Sequence, residues 1–430
     1  MTLQLEPIEK IKLQETTPNQ SSNQSPNRCP VDHAALSKQK AAMHPEALDL
    51  PALEVDAKGV WHVRSFEVAR TILRMEETRQ AGFKAELINR MESKMSPPVL
   101  YQDGEGHHRQ RKMIARFFTP KTTNEKYRQM MEEFADGVLN ELREKKRADL
   151  SKLSMTMAVK VAAQVVGLTD SLLPGIDRRI NAFFSGGDMD FKWTPSSIFS
   201  MLRRQLSVLQ FLYLDVKPAI RARQQTPKED VISHLLGQKA TTPEILTECI
   251  TYGAAGMVTT REFICIAAWH MLENKELRDY YLNSSEEKRY NLLQETLRVE
   301  PVVANLTRRT TDEITVAADG RTITIPKGAL IDLHIATANL DLSVTGEEPR
   351  AVCPERPLHA DKTTPAMLSF GDGAHRCPGA YIAIQESDIF LRKLLAIDGL
   401  QIVKAPDLSW GELTQGYEFR NFILTVAGSR

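Results

Sequence analysis

Cysteine is scarce in this chain: five thiols in 430 residues (Cys29, Cys249, Cys265, Cys353 and Cys377), none spaced as CxxC. An odd, scattered set argues against a disulfide framework and a multi-thiolate zinc site, and it fits a reducing compartment. An excess of one charge is also absent, since 55 Lys and Arg balance 55 Asp and Glu. No nucleic-acid partner is expected, and a charged partner has to be recognised by a local patch. No stretch reaches the roughly 18 consecutive apolar residues of a membrane span, so no membrane anchor is expected. Residues 1–28, rich in Gln, Asn, Thr and Ser, hold no signal-like apolar run. The expectation is a cytoplasmic protein with a flexible polar arm over 1–40 and a single domain over 41–430.

Past the arm, VWHVRSFEVARTILR (60–74) passes from a short strand into an amphipathic helix, and residues 126–223 alternate charged and apolar side chains at helical spacing. SGGDMDFKWTPSSIF (185–199) breaks that pattern with Gly, Asp and Pro and reads as a lid-like loop. EITVAADGRTITIPKGALIDLHIATANLD (313–341) is β-branched and broken at ADG and PKG, which signals hairpins. The reading is a mostly helical fold with a small β portion late in the chain.

SFGDGAHRCPGAYIAIQE (369–386) sets Cys377 among glycines, ahead of an apolar helix. Gly371 and Gly373 permit backbone angles and close approach that side chains forbid, which suits a loop laid against something planar or bulky. Pro378 reads as the first helical residue, where its missing N–H costs nothing. Cys377 then stands at a helix N-terminus, whose dipole favours the thiolate. Three readings are open: a nucleophile with His375 as base, a ligand, or a buried structural thiol. The ligand reading explains most, because one thiolate without a second Cys or His at metal spacing suits an iron already held by a macrocycle, namely haem.

Phe370, Gly371, Gly373, His375, Cys377 and Gly379 form the pattern F-G-x-G-x-H-x-C-x-G. With it the chain resembles the cytochrome P450 family, the haem-thiolate monooxygenases. The resemblance implies a fold that is mainly α with small β-sheets, a triangular-prism helical domain plus a minor β region, running from about Ala41 to the C-terminus as one catalytic domain. It implies haem b as cofactor and Cys377 as its iron ligand. ETLR carries Glu295 and Arg298, which resemble the family's E-x-x-R pair; the Arg that locks it is Arg356 of PERP. Alone, such a pair would be a solvated intrahelical contact worth roughly a few tenths of a kcal/mol. DGEGHHRQRKMIARFFTP (103–120) resembles the helix that crosses the haem edge. By that match His107 and Arg111 donate to a haem propionate, with Arg308 of TRRTTDE and His375 reaching the carboxylates too, since carboxylates entering an interior need cationic partners. His108 and Arg109 read as surface residues.

CITYGAAGMVTTREFICIAAWHML (249–272) is an apolar helix in which Tyr252, Ala255, Gly256, Thr259 and Phe263 share one stripe. Small residues there would let a flat cofactor and O2 come close. The segment resembles the family's oxygen-activating helix, with Ala255, Gly256, Thr259 and Thr260 matching A-G-x-(Asp/Glu)-Thr-Thr and Val258 standing where the acid is usual. Thr259 and Thr260 are the catalytic candidates that remain. Glu262, one turn on, is a candidate for the missing acid; otherwise it forms a structural pair with Arg261.

The resemblance further implies two electrons from outside, delivered by an acidic ferredoxin or flavodoxin with its reductase to a patch of Arg109, Lys112, Arg116 and Arg376. The pocket would be lined by 91–101, the 185–199 lid with Arg203 and Arg204 behind it, the helix stripe, the residues after Pro301, and the turn 416–419. That lining points to a small-to-medium organic substrate, apolar or aromatic with a polar end, oxidised with O2 in specialised metabolism. Two alternatives are open: a haem-thiolate enzyme of atypical outcome (peroxide-driven oxidation, radical coupling, decarboxylation or dehydration), favoured by Val258, and a non-catalytic haem ligand sensor.

Overall fold

The structure, a computed structural model, describes residues 37–40, 50–83, 98–176, 178–179, 205–411 and 414–427. Strands β1 (Leu53–Val55), β2 (Val60–Val63), β3 (Thr78–Gln80), β5 (Asn305–Thr310) and β8 (Leu330–His334) form one sheet in the order β1-β2-β8-β5-β3. β6 (Ile314–Ala318) and β7 (Arg321–Ile325) make a hairpin; β4 (Arg147–Asp149), β9 (Leu400–Lys404) and β12 (Ile423–Val426) make a three-stranded sheet; β10 (Asp407–Gly411) and β11 (Gly416–Arg420) make a second hairpin. The helices that place the site are α1 (Phe66–Arg74), α2 (Gly104–Ile114), α3 (Arg128–Lys145), α4 (Leu150–Val166), α5 (Thr242–Glu273), α6 (Glu286–Val299) and α7 (Ala380–Leu395).

Local chemistry sets the ends of these helices. Thr241 accepts from the Glu244 backbone N–H while the Glu244 side chain returns to the Thr241 N–H, and Pro243 sits in the first turn of α5. Asp149 caps α4 through the Ser151 N–H, and Gly167 closes it at φ 101°. α5 is apolar nearly all round and joins two cores: Phe263, Ile264, Ala267 and Met271 pack with α3, α4 and α7, while Ile245, Cys249 and Met257 pack with Ile114, Phe117 and Val159. A third core fills the space between α1 and the five-stranded sheet.

Four sequence expectations change. ADG does close a hairpin, with Asp319 and Gly320 both at positive φ, but PKG hands the chain to β8, which pairs with β2 and β5 rather than with β7. The end of the arm is docked: the Ser37 hydroxyl meets His270 Nδ1 at 2.6 Å and Gln39 Nε2 donates to the Val299 carbonyl at 2.8 Å; residues 1–36 lie outside the described ones. Cys353 is disulfide-bonded, while Cys249, Cys265 and Cys377 are free; scattered spacing argues against a framework, not against one bridge between distant residues. The helix after the cysteine begins at Ala380, so Pro378 lies in the turn ahead of it.

Candidate active site

Cys377 follows a single 3-10 turn, Gly373–His375, and its N–H donates to the Phe370 carbonyl at 2.8 Å, which closes the loop on itself. Gly373 is tight for a reason the sequence reading did not anticipate. At φ 65°, a Cβ there would stand 2.2 Å from the Leu73 carbonyl oxygen, so the loop is pressed onto the end of α1. Around Gly379, by contrast, a Cβ would meet nothing within 4 Å. The half-buried Cys377 thiol is pushed up by burial, against the opposing pull of the Gly379 N–H and of Arg111 and Arg376. Desolvation therefore outweighs the helix-terminal field expected to favour the thiolate.

Four cation-forming side chains converge beside this loop. Arg111, on α2, donates to the Arg376 carbonyl, one residue before the cysteine. His107, one turn earlier, is buried and stacks on His375 with ring centroids 4.1 Å apart. His375 Nε2 meets Asp103 Oδ1 at 3.1 Å, and Arg308 reaches in from β5 to donate to Gln80 Oε1. Burial pushes His107 down to about 4 and Arg308 down to about 10, and it lowers Arg111 and His375 as well. Arg308 has no carboxylate at ion-pair distance among the described residues, and Asp103 is the acid these groups share. Two buried guanidiniums short of carboxylates, flanked by two imidazoles whose charged forms burial disfavours, stand beside a thiol and fit a group that brings its own carboxylates and a thiolate-binding metal, as haem does.

The E-x-x-R constellation closes as expected. Arg298 donates from Nε and Nη2 to the two oxygens of Glu295, both at 2.7 Å, and Arg356 Nε donates to Glu295 at 2.9 Å. Their remaining N–H groups cap the carbonyls of Asn339, Pro349, Thr345, Glu347, Glu348 and Ala351. The unit pins α6 to the segment that leads to the cysteine loop.

α5 supplies the opposite wall. Ala255 is exposed, and Gly256 and Thr259 are half-exposed, in the middle of an otherwise buried helix; this marks an opening along the stripe read from the sequence. A Cβ on Gly256 would lie 3.4 Å from the Ala162 side chain of α4, so the glycine also lies against a neighbouring helix. Thr259 Oγ1 donates to the Ala255 carbonyl at 2.5 Å, which leaves its lone pairs to accept. Thr260 is buried.

The acid relay read at Glu262 does not assemble. Glu262 is fully buried and accepts from Arg261 Nε at 2.8 Å, Arg420 Nη1 at 2.8 Å and the Phe419 N–H at 2.9 Å. Its acceptor capacity is spent on tying α5 to β11, and 416–419, read from the sequence as a turn, is the body of that strand. The start of β11 is pressed against the residues after Pro301: a Cβ on Gly416 would stand 1.9 Å from the Val302 carbonyl oxygen. Of the other expected lining, 91–97, the 185–199 lid, Arg203 and Arg204 lie outside the described residues.

Sequence reasoning passed over two partners and one acid. Asp103 and Gln80 hold the cationic cluster, and only Asp103 had a signal, four residues before His107 on the same helix. Glu248, one turn before Tyr252 on the α5 stripe, is buried and accepts from the Val99 N–H at 3.0 Å and from Gln110. Among the described residues its Oε2 and the Tyr252 hydroxyl are buried without partners, and burial pushes the Glu248 carboxyl up to about 7.

The comparisons with known proteins agree with this geometry. The Cytochrome P450 family model matches residues 290–396, from α6 through the cysteine loop to the end of α7. Cytochrome P450 107B1 of Saccharopolyspora erythraea is 26% identical over 340 residues, covering 77% of this chain and 76% of the relative; the erythromycin C-12 hydroxylase of the same organism is 24% identical, covering 82% and 85%. Among solved structures, CYP109E1 from Bacillus megaterium in complex with corticosterone superposes with a TM-score of 0.70 at 19% identity, covering 89% of this chain and 97% of that one. A thiol loop, a cationic cradle and an apolar helix opened at its centre define a haem-thiolate oxidoreductase. This chain belongs to the cytochrome P450 family; it is an enzyme of the monooxygenase type, and haem is its cofactor. No helix of the described residues is long and apolar enough to cross a membrane.

Proposed function

We propose that this P450 hydroxylates a medium-sized, largely apolar organic molecule of specialised metabolism, using O2 and two electrons from an acidic one-electron carrier. The observation that carries the reading is the under-compensated cluster of His107, Arg111, Arg308 and His375 beside Cys377, in which Arg111 is within electrostatic reach of both Cys377 and Tyr252 of α5. Relatives with named roles support the substrate class: one is the erythromycin C-12 hydroxylase, and another is the polyketide biosynthesis cytochrome P450 PksS of Bacillus subtilis.

Bound haem supplies the oxidising chemistry that places one oxygen atom of O2 in the substrate and releases the other as water, at the cost of two electrons and two protons. In this reading Cys377 Sγ ligates the iron, and the guanidinium of Arg308, the guanidinium of Arg111 and the two imidazoles orient the propionates. Phe370 and Gly371 shape the loop under the thiolate, and Gly379 leaves the space beside it open. Thr259 Oγ1, whose proton goes to the Ala255 carbonyl, is a hydrogen-bond acceptor at the opening. Val258 is buried and apolar, and Glu262 is committed to β11. Tyr252 and Glu248, two and three turns back from Thr259 along the stripe, are the groups that hold exchangeable protons instead. Glu262 keeps a positioning role, holding β11 against Val302. Arg109, Lys112, Arg116 and Arg376 are all exposed and offer the face for a ferredoxin or flavodoxin.

The test is product analysis with a reductase–ferredoxin pair and a panel of macrolide, polyketide and steroid substrates under 18O2, against H2O2 alone. The reading expects a product one 18O heavier that needs the donor. A product formed equally well from H2O2 without a donor would replace it with the peroxide-driven reading.

A further inference from the structure

Away from the cysteine loop, neighbouring parallel strands bring three donor side chains together on one face. β2 and β8 pair in register, His62 opposite Asp332. His334, two residues on from Asp332, projects from the same face. Three atoms form a compact triangle: His62 Nδ1 to His334 Nε2 is 2.9 Å, His334 Nε2 to Asp332 Oδ2 is 3.5 Å, and His62 Nδ1 to Asp332 Oδ2 is 3.8 Å. Metal–ligand bonds of about 2.1 Å in tetrahedral geometry put ligand atoms about 3.4 Å apart. The observed triangle brackets that spacing, so a cation seated over it needs shifts of only a few tenths of an ångström.

The surroundings orient the donors. Asp56 Oδ2 stands 3.5 Å from His62 Nε2, and Asp56 is itself held by the Lys58 and Val60 N–H groups at 2.8 Å. A carboxylate on the far ring nitrogen places the proton there and turns the Nδ1 lone pair toward the triangle. Asn305 Nδ2 donates to both Asp332 oxygens at 3.0 Å and lies 3.4 Å from His334 Nδ1. Two carboxylates balance a divalent charge. The three side chains are between a fifth and a quarter exposed, open enough for an ion and a water in the fourth position.

We propose that His62, Asp332 and His334 form a binding site for a borderline divalent cation of the Zn2+ class, oriented by Asp56 and Asn305, and separate from the haem. Mixed imidazole and carboxylate donors select Zn2+, Ni2+ or Cu2+ over Mg2+ and Ca2+. The bound ion clamps β2 to β8, in the sheet whose β5 carries Arg308. The site does not depend on the monooxygenase reading.

The experiment is equilibrium dialysis of the tag-free holoenzyme against micromolar ZnCl2, with zinc counted per haem by mass spectrometry, for wild type, His62→Gln/His334→Gln and Asp56→Asn. An unchanged haem spectrum shows that each variant is folded. The proposal expects one zinc equivalent in wild type that the double variant lacks, about tenfold weaker uptake in Asp56→Asn, and a rise in Tm with zinc in wild type only. Equal zinc uptake by wild type and the double variant, or no stoichiometric uptake by wild type, overturns it.

Discussion

Two buried clusters of basic side chains are compensated in opposite ways. At Glu295, Arg298 and Arg356, one carboxylate and a ring of backbone carbonyls occupy the guanidinium N–H groups. At His107, Arg111, Arg308 and His375, Asp103 alone among the described residues offers a negative charge, and burial depresses all four groups. A closed cluster is a structural fastener, because removing any member strands the rest. An open cluster is a binding site, whose missing charge comes with the ligand. The residue types are nearly the same, so the carboxylate supply decides which is which.

The contrast can be broken from either side. Glu295→Gln strands two guanidiniums that are already dry; it should cost about 3–5 kcal/mol and leave little protein that folds or retains haem, as urea denaturation and haem content will show. Arg308→Met should do the reverse. It removes a cation without a carboxylate partner, so apoprotein stability should move by less than about 1 kcal/mol, while haem transfer to a scavenger protein speeds up about tenfold, in keeping with the loss of a charge-assisted bond.

Glu248 sharpens the comparison within the open region. Its folded carboxyl is raised to about 7 from 4.5, so its contribution is fully present below pH 4.5 and is lost as pH rises through 7. His107, lowered to about 4, runs the other way: its contribution is full above pH 6.5 and is lost as pH falls through 4. Glu248→Gln should therefore be about 1–3 kcal/mol more stable than wild type at pH 8 and about equal at pH 4.5. It should also divert more electrons from product to peroxide if Glu248 holds the proton that Val258 cannot. The smallest effect belongs to the surface. Lys112→Glu should slow reduction by an acidic ferredoxin about tenfold at low salt, with the difference fading as ionic strength rises.

Much of the site was legible in the sequence because its constraints are local. The glycine and cysteine spacing of 370–379, the three-residue step from Glu295 to Arg298 and the stripe 252–263 each lie within one element, and the structure keeps all of them together. What escaped the sequence is set by contacts between elements. Nothing in the chain announces that Gly373 abuts Leu73, that Gly256 abuts Ala162, or that Glu262 faces Arg420 across 158 residues. The thiol field was misjudged for the same reason, since burial comes from neighbours and a helix terminus alone gives no measure of it. In the fold, the ADG hairpin was readable from turn chemistry, whereas β8 pairs with β2 from the far end of the chain. The Thr241–Glu244 capping box that starts α5 was there to be read.

The central claim is that Cys377 Sγ is the haem iron's ligand, and the most direct measurement is the absorption spectrum of the dithionite-reduced protein with and without carbon monoxide, for wild type and Cys377→Ser. The account predicts a strongly red-shifted Soret band in wild type that the variant lacks. A histidine-type Soret band in well-folded wild type, or a red-shifted band that survives Cys377→Ser, would contradict it.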